Sequence, residues 1–338
     1  MKKYLFPMLL LAFFSTGFTA SNENDEGIND EVWEDVKSLL DDYFTIENAE
    51  FHEGSFPEST DGSEFGTVTL NSQALSGGMN FITIRTERNY KTFYIGIEGI
   101  NGYLAYTPSE PTWDGQNYVY TYLIPVYFSI KFNRDIIICI CGETEDGEIS
   151  KTHKGNVTYV ESQSGDLNIN LTFTTLKDVD LHLLLPDGTR IYYGNRGGTN
   201  EDGESYGLDH DSNAACHIDG LNNENIFIPA SLVTDGTYRV FVDLYSNCDP
   251  SEGPTNWSVA ARYKGEFVAN ELNEGRNPVN GFYTADAHNG DMTEVIRFTL
   301  TSVNNSRSFA SYADFKIWEP IPLSDIDQMK LEEASWKE

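Results

Sequence analysis

The sequence predicts a mainly β fold: two antiparallel β-sandwich domains, immunoglobulin-like or jelly-roll-like, behind a short N-terminal helix. Three observations carry this. From about residue 66 to residue 302, short runs rich in Val, Ile, Thr, Tyr and Phe recur between Gly, Pro and Asn clusters, with no helical pattern between them. Aromatic residues make up 13% of the chain against a hydrophobic share of only 39%, as expected of thin sheets wetted on one face. The 338 residues also exceed one ordinary domain.

Residues 1–20 read as an export signal. Lys2 and Lys3 precede the short apolar run Tyr4–Phe14, and small residues follow up to Ala20. The run is too short for a stable membrane span, and no Cys lies near the cleavage region to take a lipid. The expectation is an exported protein, periplasmic or secreted, with no membrane span in the mature chain. Residues 21–65 read as a helix and a polar linker. Val32, Trp33, Val36, Leu39, Leu40 and Tyr43 recur at helical spacing, with Asp30 and Glu31 in the first turn, where the helix dipole favours them.

The first sandwich is expected over 66–160. Its strands are read at Phe81–Arg85, Thr92–Ile97, Tyr118–Pro125, Val126–Phe132 and Ile136–Cys141, followed by a turn at Glu145–Gly147. The polar stretch Glu161–Asp166 is the linker. The second sandwich, 166–302, opens with strict alternation: Leu167, Ile169, Leu171 and Phe173 face one side, and Asn168, Asn170, Thr172 and Thr174 the other. Asp178–Leu185, Thr189–Tyr193, Ile226–Ile228, Tyr238–Tyr245, Trp257–Tyr263 and Thr293–Thr301 follow as strands, with a long acidic loop over Gly194–Asn225. Residues 303–338 form a C-terminal extension.

With 22 basic and 53 acidic residues, the formal charge is −31. Such a chain repels nucleic acid, which needs clustered Lys and Arg. The acids are not evenly spread. On the strand Asp178–His182, Val179 and Leu181 can face a core while Asp178, Asp180 and His182 share the other side. The Gly194–Asn225 loop holds Asp209, Asp211 and Glu224 among further acids, and only Arg196 opposes them. If the backbone is extended at His210, the Asp209 and Asp211 carboxylates point the same way. Hard cations such as Ca²⁺ take six to eight oxygens from carboxylates and carbonyls, and this composition suits one. The candidate ligands are Asp178, Asp180, Asp209, Asp211 and Glu224, with His182, Asn195 and Asn225 as supporting residues and calcium as a structural ion. Zinc fits less well, because the His residues are scattered and no Cys-x-x-Cys spacing occurs.

Seven pieces run in order through this half: Asp178-x-Asp-Leu-His182, Pro186-x-Gly188, Ile191–Asn195, Gly207-Leu-Asp-x-Asp211, Glu224–Ile226, Gly236–Val240 and Pro254–Trp257. Together they resemble the bacterial YfaP-like domain family, exported sandwiches of unknown function. The likeness covers about 166–302. It implies that the Asp-x-Asp-Leu-His strand and the Leu-Asp-x-Asp loop lie at one end of a sandwich, and it implies no reaction. Ser212–Asp219, which carries Cys216, is an insertion relative to that pattern.

Cys216 and Cys248, both in loops, are expected to form a disulfide, whereas Cys139 and Cys141 read as buried thiols on one strand. No nucleophile or phosphate motif is present. Tyr103, Tyr106, Trp113, Tyr118, Tyr192 and Tyr193 are candidates for a sugar-stacking face, with ordinary packing as the alternative. The functional expectation is a non-catalytic binding or adhesion module whose cation-stabilised loop meets a glycan or an envelope protein. The alternatives are a secreted glycan-degrading enzyme using loop carboxylates, or a structural subunit of an envelope assembly.

Overall fold

The computed structural model describes residues 37, 39–108, 112–113 and 120–301. The export signal, most of the helix expected before Tyr43, Tyr118 and the C-terminal extension lie outside the described residues. The chain is mainly β, and among the described residues its strands form four sheets in which all but one of the pairings are antiparallel.

In the first half, a five-stranded sheet runs in the order Phe44–Thr45, Tyr120–Phe128, Met79–Thr86 and Thr67–Leu70, with Thr112–Trp113 also paired to Tyr120–Phe128. A six-stranded sheet runs Glu50–Glu53, Gly102–Tyr106, Tyr90–Ile97, Ile136–Thr144, His153–Val160 and Gln73–Leu75. The last two strands are parallel, with Tyr159 opposite Ala74. β-Branched and aromatic residues from both sheets, such as Ile82, Ile84, Ile95, Ile124, Ile138 and Ile140, share one apolar core and are fully buried. Two strands of these sheets, Phe44–Thr45 and Glu50–Glu53, come from the segment expected to be linker.

The expected break after Pro125 does not occur: Tyr120–Phe128 is one strand, and Pro125 pairs opposite Phe81. A proline is tolerated there because, among the described residues, no strand pairs with the other edge at Pro125. Thr112–Trp113 reaches only Tyr120 and Thr121, and Phe44–Thr45 only Tyr127 and Phe128. Cys139 and Cys141 are buried free thiols, and burial pushes the Cys141 thiol up to about 12.

In the second half, a seven-stranded sheet runs Gly197–Thr199, Ser205–His210, Asn223–Ile228, Leu167–Phe173, Thr255–Tyr263 and Glu266–Phe267, with Val279–Tyr283 also on Thr255–Tyr263. The four-stranded sheet runs Arg190–Ile191, Asp178–Leu184, Gly236–Ser246 and Asp291–Leu300. Leu167, Ile169, Leu171 and Phe173 meet Val179, Leu181 and Leu183 in a second apolar core. The polar face of Leu167–Phe173 is not wet as expected, since Asn170 and Thr172 are buried as well. That face lies against the first half, near the strand Met79–Thr86.

The Gly194–Asn225 segment is not an open loop. It contributes two whole strands, a 3-10 turn at Ala214–Cys216 and the start of Asn223–Ile228. Glycine makes this possible at one close crossing. Gly197 and Gly207 are register partners, and a Cβ on Gly207 would lie 1.8 Å from the Arg196 carbonyl oxygen.

Candidate metal centre

The strand Asp178–Leu184 is covered unevenly. Gly236–Ser246 pairs along all of it, while Arg190–Ile191 covers only Leu183 and Leu184. The Leu181 amide therefore faces a gap. Glu224, from the opposite sheet, fills it: its Oε2 accepts the Leu181 N–H at 2.7 Å. Alternation on Asn223–Ile228 sends Ile226 and Ile228 into the core, and Glu224 shares their direction at the end of the row.

Glu224 thereby joins Asp180 and Asp211. Oxygens of these three carboxyl groups lie within 4.8 Å of one another. Asp180 and Glu224 are almost wholly buried, at 2% and 1% exposure, and Asp211 is half-buried. Asp180 Oδ2, Asp211 Oδ1 and Glu224 Oε1 have no hydrogen-bond partner. Burial comes first in raising the Glu224 carboxyl well above the ordinary range, and the Asp180 charge adds to it. Asp180 is raised by burial and then by Asp178, Asp211 and Asp243, and Asp211 by burial against a counter-pull from Arg196.

Asp178 lies beside this trio. Neither of its oxygens closes a hydrogen bond of good geometry, and burial lifts it to about 6. The amides of Ala215 and Cys216 face its carboxyl group and favour the charged form. They point that way because Asn213, Ala215 and Cys216 all have positive φ, at 61°, 51° and 63°. The turn is tied down by the Cys216–Cys248 disulfide, with Cα atoms 5.5 Å apart, and by Asn213 Nδ2 donating to the Lys177 carbonyl at 2.9 Å.

Little positive charge reaches the group. Lys177, fully buried next to Asp178, sends its ammonium to Asn247 Oδ1 and to the Asp249 carbonyl instead. Arg196 Nη1 stands 3.7 Å from Asp211. Arg190 donates to His182 Nδ1 and lies over the Tyr192 ring.

Asp180 also belongs to a second group, with His182 and Asp243. Asp243 is its cross-strand partner, and burial lifts it to about 6. The Arg190 contact argues against a metal here. With Nδ1 accepting from Arg190, the proton of the neutral ring sits on Nε2, so that nitrogen offers no lone pair. Burial and the Arg190 charge keep the ring neutral, lowering it to about 3.

The structure brings Asp180, Asp211 and Glu224 together, sets Asp178 beside them and places Asp209 elsewhere. A β-bulge between Leu208 and His210 breaks the alternation that would have aligned Asp209 with Asp211. Asp209 accepts from the Gln163 amide at 2.6 Å and from Asn225 Nδ2 at 2.8 Å. Asn225 also faces away, donating to the Gln163 carbonyl at 3.0 Å. Asn195 donates to the Arg190 carbonyl at 2.8 Å and so supports the turn carrying Arg190 and Tyr192. Asp243 went unnoticed in the sequence. It alternates with the core residues Val242 and Leu244, and pairing that strand with Asp178–Leu184 would have set it opposite Asp180. Of the aromatic candidates, Tyr106 is buried in the first core. Tyr193 and Tyr245 are each 40% exposed, with rings 5.0 Å apart, and Tyr193 also packs on Tyr192.

No family model matches the chain, and no curated protein matches it. A solved structure described as "Crystal Structure of Rst D1-D2" aligns over 69% of this chain and 98% of its own, with 8% identity and a TM-score of 0.17. A superposition that poor carries no statement about fold or function. Among the described residues no helix is long and apolar enough to cross a membrane.

Proposed function

We propose that this is an exported, non-catalytic binding module of two β-sandwich domains, in which a divalent cation, calcium by its ligand chemistry, organises one end of the second. The first domain reaches back to the strand at Phe44, and the second carries the YfaP-like pattern. One observation supports the cation above the rest: Asp180 and Glu224 each bury a carboxylate oxygen with no partner, both near Asp211. A buried ionised carboxylate is several kcal/mol unfavourable unless it is paired or bound to a metal. Oxygens 2.3–2.6 Å from one ion lie no more than about 5.2 Å from each other, and this trio meets that limit. Three carboxylates offer up to six oxygens, and Asp178 or water would complete a calcium shell.

Above this end stand the exposed Tyr193 and Tyr245 rings, flat amphipathic surfaces suited to a sugar ring or a protein side chain. Acid–base catalysis suits the geometry less, because Asp180 and Glu224 lie beneath the surface, out of a substrate's reach. The test is calorimetric titration of the chain from residue 21 onward with Ca²⁺ and Mg²⁺. Saturable 1:1 Ca²⁺ binding that Glu224→Gln and Asp211→Asn each weaken at least about tenfold supports the reading. No binding at millimolar cation, in a protein that is folded by circular dichroism, overturns it.

A further inference from the structure

The two proposed cation-holding residues on the acidic segment, Asp211 and Glu224, bracket one of the stretches that tie the two halves together; Arg262, which donates to the Gly77 carbonyl at 3.3 Å, is another tie. Between Asp211 and Glu224, the Asp219 carbonyl accepts from Gln73 Nε2 at 2.8 Å and the Leu221 carbonyl from Asn71 Nδ2 at 3.3 Å. Asn223 Nδ2 donates to Asn80 Oδ1 at 2.6 Å, and both residues are fully buried. On three consecutive residues the directions alternate. Glu224 points to the carboxylate cluster, Asn223 on the opposite face holds the first half, and Asn225 holds the linker through Gln163. Asp209, two residues before Asp211, grips the same linker residue from the other side.

We propose that cation occupancy at Asp180, Asp211 and Glu224 stiffens the junction between the two halves at the acidic segment. This rests on the cation reading above. Without the ion, nothing bridges the three buried carboxyl groups, and the cluster is free to open. Glu224 cannot shift along or out of its strand without carrying Asn223 and Asn225 with it, because successive residues of one strand share a backbone. With the ion bound, both ends of the Asp211–Glu224 segment are fixed and the contacts to Gln73, Asn71 and Asn80 hold. Such coupling is reciprocal: whatever factor the ion adds to the junction, the junction adds to ion affinity.

Hydrogen–deuterium exchange on the full chain, with and without Ca²⁺ alone, tests this. Ca²⁺ should slow exchange in residues 71–80 and 161–163 at least about fivefold, the low end of measurable site-to-site coupling. The double variant Asn80→Ala/Asn223→Ala should lose that protection and bind Ca²⁺ more weakly by a similar factor. Gln73→Ala, which removes an exposed contact, is a milder version read the same way should the double variant unfold. If Ca²⁺ binds and protects 223–225 but leaves 71–80 and 161–163 unchanged, with affinity unaltered in the variants, the coupling is wrong and the cation site stands. If neither Ca²⁺ nor Mg²⁺ binds, both ideas fall together.

Discussion

Glu224 crosses from one sheet of the second half to the other and takes the Leu181 amide at 2.7 Å, sealing an edge that the neighbouring strand leaves open. One of its oxygens therefore has a structural task and the other, Oε1, has no partner. The two tasks can be separated. Glu224→Gln keeps an oxygen for Leu181 and removes the charge, so in EDTA it should match or exceed the parent in stability. In millimolar Ca²⁺ the order should reverse, because only the parent gains from the ion. Glu224→Ala leaves a buried amide unpaired and a void beside it, and should lose about 2–4 kcal/mol with or without metal. Urea unfolding of the three proteins in both buffers checks this ordering.

The disulfide should matter to the ion as well as to the fold. Cys216 and Cys248 are 32 residues apart in sequence, and a closed loop of that size stabilises by roughly 3–4 kcal/mol in the chain-entropy account. Cys216 also holds the positive-φ turn whose amides face Asp178. Reduction, or Cys216→Ser/Cys248→Ser, should therefore weaken Ca²⁺ binding beyond what partial unfolding explains. Titration at a temperature where circular dichroism shows the reduced protein fully folded measures that loss.

How much of this was legible in the sequence depends on which local rule survived tertiary contact. The alternation of Asp178–Leu184 was readable because Val179, Leu181 and Leu183 follow the period of two without interruption, and Asp180 lies on the acidic face as that period requires. Asp209 was misplaced because a single bulge between Leu208 and His210 flips the side-chain direction, and no composition signal marks a bulge. Asn170 reads as wet because polar residues on a strand usually face solvent, and Asn225 reads as a support for the cation site. Here the second face is a junction, and their amides pair with each other at 2.7 Å. Pro125 read as a strand end, since what permits it is that no described strand pairs with that edge there, a property of the sheet and not of the residue.

A pH effect is expected in the first half, far from the acidic cluster. Glu47 is half-buried with one oxygen unpartnered, and burial alone lifts it to about 7. Its folded value lies above the unfolded one near 4.5, so its ionisation opposes folding. Stability linked to this group is complete below pH 4.5 and falls as pH rises through 7. Glu47→Gln should leave stability at pH 5 nearly unchanged and raise it at pH 8 by on the order of 1–2 kcal/mol, after discounting for partial solvent access. Urea midpoints of both proteins at the two pH values, with EDTA present throughout, decide this. A parent and variant that stay parallel from pH 5 to 8 would mean the carboxyl is solvated.

If the close crossing at Gly207 fixes the strand that leads to Asp211, glycine substitutions can isolate its effect on the proposed site. Gly207 has φ +133°, a conformation that resists any side chain, and its missing Cβ faces the Arg196 carbonyl at 1.8 Å. Gly207→Ala therefore forces the Gly197–Thr199 and Ser205–His210 strands apart. Gly203 is the control: its φ is +84°, yet nothing lies within 4 Å of its would-be Cβ. Gly203→Ala should cost about 1–2 kcal/mol of backbone strain and leave Ca²⁺ affinity alone. Gly207→Ala should cost more than about 3 kcal/mol, because backbone atoms must move as well. It should also displace Asp211, four residues on, and reduce Ca²⁺ affinity in whatever fraction folds. Equal effects of the two substitutions on ion binding would show that Asp211 is positioned independently of the crossing, by the Ser212–Asp219 hydrogen bond and its neighbours.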